Sequence, residues 1–196
     1  MTPRDESVGR SARLGEERIS LLGRMPRPGD RLVADFVIPP ARLAQVPLTA
    51  SCLRQGLVVV STLPNIQKQA CIAQIVDLEE QVHEQRPALR IMHVSADPAE
   101  YWHEVDQFHP SIRAAGYSLD RADPISREAF VQAFGVGVAS QRRIAHGLFG
   151  LQEGVFLAAE IPDDQMRPVG VQDFLTVFMQ RIGASPSGTP RHDPER

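Results

Sequence analysis

The sequence predicts a single α/β domain with a mixed central sheet flanked by helices and an N-terminal β-hairpin. Three segments carry that reading. Residues 56–63, Gly-Leu-Val-Val-Val-Ser-Thr-Leu, form a continuous β-branched and apolar run stopped by Pro64, the pattern of a strand buried on both faces. Residues 70–85 follow, in which Ile72, Ile75, Val76 and Val82 recur near helical spacing and Asp77, Glu79 and Glu80 supply a polar side. A second apolar stretch, residues 89–94, comes after Arg86-Pro87. Strand, helix and strand in that order make a right-handed crossover with parallel strands.

The other elements can be read in chain order. Residues 12–183 form the ordered body, because residues 1–11 are polar and residues 184–196 are rich in Pro, Gly and charge, so both ends are expected to be loose. Arg13-Leu14 and residues 18–22 flank Gly15-Glu-Glu17 as a small hairpin. Pro26-Arg-Pro-Gly29-Asp30 breaks the chain before a short strand at 34–38. Residues 126–134 read as a helix with Ala129, Phe130 and Ala133 on one side. Residues 144–151 and 155–160 read as two strands around the turn Gln152-Glu153-Gly154, and residues 171–182 as a closing helix with Leu175, Phe178 and Ile182 on its apolar face. This order is that of a thioredoxin-like fold with an added hairpin and an enlarged insert between Asp97 and Ser126.

Composition narrows the function classes. At 196 residues, 42% hydrophobic and 23% charged, the chain is an ordinary globular protein long enough for one well-buried core. A net charge of -3 and a pI near 6.1 imply no basic face for nucleic acid. The apolar runs are far shorter than a bilayer span, and Met1-Thr-Pro-Arg-Asp-Glu-Ser lacks the apolar core of a secretory signal, so a soluble, cytoplasmic protein is expected. Cys52 and Cys71 are too few for a disulfide scaffold and too far apart for a C-x-x-C motif. The six histidines show no i, i+4 pairing and no cysteine joins them at ligand spacing, so neither a structural metal nor a cofactor is implied.

Cys71 is the residue that asks for chemistry. It follows the buried strand in Leu63-Pro-Asn-Ile-Gln-Lys-Gln-Ala-Cys71, in the first turn of the helix, where open α/β sheets place ligands and where free N–H groups favour an anion. Lys68, the one lysine against twenty arginines, stands three residues before it, and a cation there would favour the nucleophilic thiolate. The alternatives are that Cys71 is a small packing residue and that Lys68 points into solvent.

In these segments the chain resembles the peroxiredoxins, and within them the bacterial thiol peroxidase subfamily. Pro64 and Cys71 occupy the two ends of that family's P-x-x-x-T-x-x-C motif. Leu14-Gly-Glu-Glu-Arg-Ile-Ser-Leu-Leu-Gly23 is similar to its N-terminal hairpin, and Pro28-Gly29-Asp30 with Asp35-Phe36 to the segment that follows. Val94-Ser95-Ala96-Asp97, Ala129-Phe-Val-Gln-Ala-Phe-Gly-Val136 and the stretch from Gly154 to Ile161 look like later parts of the same family, so the resemblance spans residues 14–182.

That likeness implies a peroxiredoxin-type thioredoxin-like fold and a peroxidatic Cys71 that becomes a sulfenic acid on attacking a peroxide. It also implies a thiol reductant, thioredoxin-like or small, and a homodimer. The sequence departs from the family at three places. Lys68 stands where the motif has threonine, and an ammonium is a donor only. Asp106 stands where the subfamily's resolving cysteine falls, so a one-cysteine cycle with an outside thiol is expected, and whether Cys52 reaches Cys71 is left open. The family's arginine at the start of the final hairpin is matched by Arg143, with Arg142 as the alternative; Pro64 and Arg142 would help shape the peroxide site, and Lys68 and Arg143 would assist Cys71. Tyr101-Trp102-His103-Glu104 and His109-Pro110 are read as packing or a partner surface. A non-catalytic redox-sensing or binding relative is the competing function.

Overall fold

The computed structural model describes residues 10–14, 17–44, 46–85, 88–138, 143–161 and 170–184. Residues 1–9 and 185–196 of the predicted tails, the hairpin residues Gly15 and Glu16, Arg86-Pro87 and Arg142 lie outside the described residues, while Ser11 and Ala184, placed in the tails, belong to a strand and a helix. Among the described residues, no helix is long and apolar enough to cross a membrane.

The hairpin forms as read, with β1 (Ser11–Leu14) antiparallel to β2 (Glu17–Leu22). The predicted strand at 34–38 shortens to β3 (Val37–Ile38), and β4 (Pro40–Arg42), β5 (Leu48–Thr49) and the one-turn helix α1 (Ala50–Leu53) follow it. The crossover unit is β6 (Leu57–Leu63), α2 (Gln69–Gln85) and β7 (Arg90–Ser95). After a single 3-10 turn come α3 (Trp102–Phe108), β8 (Ala115–Ser118), α4 (Pro124–Phe134) and β9 (Gly137–Val138). The chain closes with β10 (Gly147–Gln152), β11 (Val155–Glu160) and α5 (Val171–Ala184).

The central sheet runs β11-β10-β6-β7-β8-β4. Strands β6, β7 and β8 are parallel, while β10, β11 and β4 are antiparallel to their neighbours, so the sheet is mixed as predicted. Val58, Val59 and Val60 are all fully buried, which is what an unbroken β-branched run requires. On one face Val59 and Leu148 pack with Leu78 and Val82 of α2 and with Phe174 and Phe178 of α5. On the other, Val58, Val60 and Phe149 pack with Phe130 and Phe134 of α4 and with Phe36. Phe134 sits at the centre of the second layer, stacked on Phe130 at 4.5 Å and edge-on to Phe149 at 5.0 Å and Phe156 at 5.5 Å, geometries that ring quadrupoles favour.

Helix α4 starts at Pro124, two residues before the predicted 126, because Asp123 caps it. Asp123 accepts from the N–H groups of Ile125 and Ser126 at 3.0 Å, Pro124 opens the first turn, and Gly135 ends the helix at φ +62°. The β10–β11 turn places Glu153 at φ +50° and Gly154 at φ +78°, as a two-residue turn matched to strand twist demands.

Two expectations need correction. The supposed insert between Asp97 and Ser126 contains β8, an interior strand paired to β7 from Met92↔Ala115 to Ser95↔Ser118. Ala115-Gly-Tyr-Ser118 has no β-branched residue, so its strand state comes from pairing rather than propensity. The strand predicted at 144–151 starts only at Gly147, with Ile144 held in an isolated bridge to Gly137.

Candidate active site

The site is built where β6 and β7 end. Pro64 is buried and stops β6, and the turn after it is closed by Lys68 N–H donating to Asn65 O at 3.0 Å. Ile66 N–H donates to Asp97 Oδ2 at 2.7 Å and Ala96 N–H to Leu63 O at 3.1 Å, which ties this turn to the end of β7. The chain then enters α2, and Cys71, its third residue, faces inward. Its surroundings are apolar: Leu63, Ile66, Ile75, Trp102, Val105 and Ile112. Trp102 is fully buried, donates Nε1–H to Ser95 Oγ at 3.2 Å, and lies so close to Gly116 that a Cβ there would come within 2.9 Å of the indole. The insert thus supplies one wall of the Cys71 chamber. Tyr101-Trp102 is packing, as one of the two sequence readings has it.

The electrostatics reverse the expectation of a stabilised thiolate. Cys71 has no exposed surface, and burial pushes its thiol up to about 12; the backbone N–H of Asn65 opposes this and the Asp97 charge adds to it. Lys68 is exposed, and its part in the turn is a carbonyl that accepts from Cys71 N–H at 3.0 Å and Ile72 N–H at 3.1 Å. The resting group is S–H.

The partner of that thiol is a residue the sequence reading passed over. His146 Nε2 lies 3.7 Å from Cys71 Sγ, and His146 Nδ1 lies 3.2 Å from Gln74 Oε1. Gln74 is one turn of α2 beyond Cys71 and is itself buried, with its Nε2 2.8 Å from Ser61 Oγ. Thr62 Oγ1–H donates to Ala145 O at 2.9 Å and so holds the segment carrying His146 against β6. Burial pushes the imidazole down to about 4, so it is neutral near pH 7.

Of the other residues singled out, Arg143 is exposed three positions before His146, and its charge acts on Asp97, whose carboxyl is raised by burial and partly drawn back by Ile66 N–H and by Arg143. No hydrogen bond joins Arg143 to Cys71. Strand β10 starts at Gly147, four residues after Arg143, and the side chain that reaches the sulfur from its near end is His146. Asp106, in the place of a resolving cysteine, is ion-paired with buried Arg42. Arg42 also donates to Ala114 O at 3.0 Å and Ile112 O at 2.6 Å. Cys52 sits at the opposite end of the sheet, where Arg90, the first residue of β7, donates to its carbonyl at 2.9 Å. The length of β6 separates the two cysteines, roughly 20 Å at strand rise, far beyond the reach of a disulfide in this fold.

Against solved structures the chain superimposes over most of its length. The thiol peroxidase from Chromobacterium violaceum matches with a TM-score of 0.72 at 12% identity, over 89% of this chain and 98% of that one. The fold is that of the peroxiredoxins. A peroxiredoxin-like protein from Aquifex aeolicus gives a TM-score of 0.70 at 16% identity, over 88% and 98% of the two chains. AhpC from Enterococcus faecalis gives 0.66 at 14% identity, over 84% and 98%. No protein-family model and no curated protein matches the sequence. At these identities the peroxiredoxin fold is what is shared, and His146 beside the buried cysteine is described from this chain alone.

Proposed function

We propose that this protein is a thiol-dependent peroxidase that reduces hydrogen peroxide or small organic hydroperoxides through Cys71, by a one-cysteine mechanism with an external thiol as reductant. The observation that carries the reading is Cys71 Sγ at 3.7 Å from His146 Nε2, at the head of a helix in a peroxiredoxin fold. Sulfur attacks the terminal peroxide oxygen, the O–O bond breaks, and water or an alcohol leaves while Cys71 becomes a sulfenic acid. With Cys52 a strand's length away, a thiol from solution, small or on a thioredoxin-like protein, condenses with the sulfenate, and a second thiol releases Cys71. The enclosing wall of Leu63, Ile66 and Trp102 favours a small peroxide.

Full burial of the thiol and its raised pKa favour a second reading, a redox-sensing or binding protein that keeps the fold without turnover. Intact mass separates the two. Fully reduced wild type and Cys71→Ser are mixed with one equivalent of hydrogen peroxide and quenched between milliseconds and minutes. Rapid addition of one oxygen to wild type alone, followed by repeated peroxide consumption once a small dithiol is added, supports the peroxidase; loss of two hydrogens would mean that Cys52 pairs with Cys71. A change no faster than that of an ordinary thiol would leave the second reading.

A further inference from the structure

Donor and acceptor arithmetic around Gln74 sets the protonation pattern of the site. The oxygens of Thr62 and Gly147, 3.5 and 3.4 Å from the Gln74 side chain, are carbonyls and can only accept, so the atom facing them is the amide NH2. The amide oxygen therefore faces His146 Nδ1 at 3.2 Å, and an acceptor there requires that Nδ1 carry the ring proton. The lone pair of the neutral ring is left on Nε2, which faces Cys71 Sγ. Donation runs in one sense, from the Cys71 thiol to His146, from His146 to Gln74 and from Gln74 to Ser61, so that the first three stand as nucleophile, base and orienting group.

From this geometry we propose that His146 is a catalytic residue of the Cys71 site, base to the thiol and then acid to the leaving oxygen, with Gln74 as the positioning residue that sets its tautomer. The proposal rests on the peroxidase reading. In the step, Nε2 takes the S–H proton as the sulfur pair attacks the terminal oxygen of a hydroperoxide, HO–OR. An S–O bond forms, the O–O bond breaks, and the leaving RO oxygen takes the bond pair and then the proton from Nε2. Sulfur loses two electrons, the peroxide gains them, the products are Cys71 sulfenic acid and ROH, and the ring returns to neutral. Proton transfer thus does for the leaving oxygen what a fixed cation would otherwise do.

Among the described residues, the charges that bear on the site are these. Asp97, from the end of β7, acts on the thiol, and Asp120 and Arg143 act on Asp97. Lys68 is exposed at the start of the site, and Glu104 of α3 holds Gln67 at the rim at 3.1 Å. Burial pushes the thiol up to about 12 and the ring down to about 4, so near pH 7 a neutral thiol faces a neutral imidazole.

The test is the pH profile of Cys71 oxidation by hydrogen peroxide, followed by rapid quench and mass in full-length Cys52→Ser protein from pH 5 to 9. Base catalysis by His146 gives a rate constant that is nearly flat across this range. Attack by a pre-ionised thiolate gives a tenfold rise per unit, roughly ten-thousandfold in all, and such a climb in the unaltered site overturns the proposal without any His146 variant. His146→Gln should slow the reaction at pH 7 by about a hundredfold or more and restore the climb. If His146→Gln instead keeps the parent's rate and profile, the base role is overturned while the peroxidase reading stands. A parent no faster than a free thiol at any pH overturns both. A flat profile lost in Asp97→Asn, which retains an acceptor for Ile66 N–H, but kept in His146→Gln would assign the base to Asp97 and overturn the proposal. Gln74→Leu should lower the plateau about tenfold or more, keep it flat, and abolish the Nδ1–H tautomer signature in the nitrogen NMR spectrum of His146; an unchanged tautomer overturns the positioning role.

Discussion

The two cysteines flank opposite ends of β6, one in α1 and one in α2, and differ in burial, in the direction of the pKa shift and in the group beside the sulfur. Cys52, half-buried in α1, lies 3.2 Å from Thr49 Oγ1; that hydroxyl lowers its pKa most, the Thr49 backbone adds to this, and burial and the Arg90 charge act more weakly in opposite senses. Cys71 is fully enclosed and its thiol is pushed up, yet it alone faces an oriented imidazole. Among the described residues, the more acidic thiol has a hydroxyl beside it and the less acidic one an imidazole. Ease of ionisation and fitness for proton-coupled attack are separate quantities, because one is set by solvation and the other by a partner placed to take the proton.

The largest effect that can break this contrast is on turnover. Cys71→Ser should abolish peroxide consumption above the free-thiol background, whereas Cys52→Ser should leave it intact; a coupled thiol-oxidation assay with a small dithiol decides it, and the opposite pattern would reverse the roles. Next is the wall of the chamber. Trp102→Ala removes a fully buried indole, should cost about 3–5 kcal/mol in urea unfolding, and should open Cys71 to iodoacetamide in the native state.

His146 offers a pH test of smaller size. Its folded pKa, about 4, lies below the unfolded value near 6.5, so its contribution is present above pH 6.5 and lost as pH falls through 4. The loss is on the order of 3 kcal/mol at full extent. Unfolding free energies at pH 7 and pH 4 should therefore fall more steeply for wild type than for His146→Gln, and equal slopes would contradict the neutral buried ring. The smallest change is at the other thiol: Thr49→Val should raise the Cys52 pKa and slow its alkylation at pH 7.5 by a few-fold, on the order of 0.5 kcal/mol or more of lost hydrogen bonding, with Cys71 unaffected.

Much of the scaffold was legible because its signals are local. The β-branched run of β6, the spacing of Ile75, Val76 and Val82 in α2, the Ala129, Phe130 and Ala133 side of α4, and the Glu153-Gly154 turn each lie within a few residues. Strand β8 was not legible, since Ala-Gly-Tyr-Ser becomes a strand only against β7, and the Gly116 that weakens it alone is what lets Trp102 lie flat against the sheet. At the site, Pro64 and Cys71 could be read from spacing. His146 could not be read from chemistry, because a histidine 75 positions away carries no local mark of its partner.

By itself the sequence determined the crossover unit, the two hairpins, the closing helix and the seat of Cys71 after a buried strand, because periodicity, caps and turn residues act within one element. Only the tertiary structure decided that Lys68 faces solvent, that Cys71 rests as a thiol, that Cys52 is out of reach and that His146 and Gln74 close on the sulfur. Those outcomes depend on desolvation and on hydrogen bonds between residues far apart in the chain, and such terms exist only once the sheet and its helices have assembled.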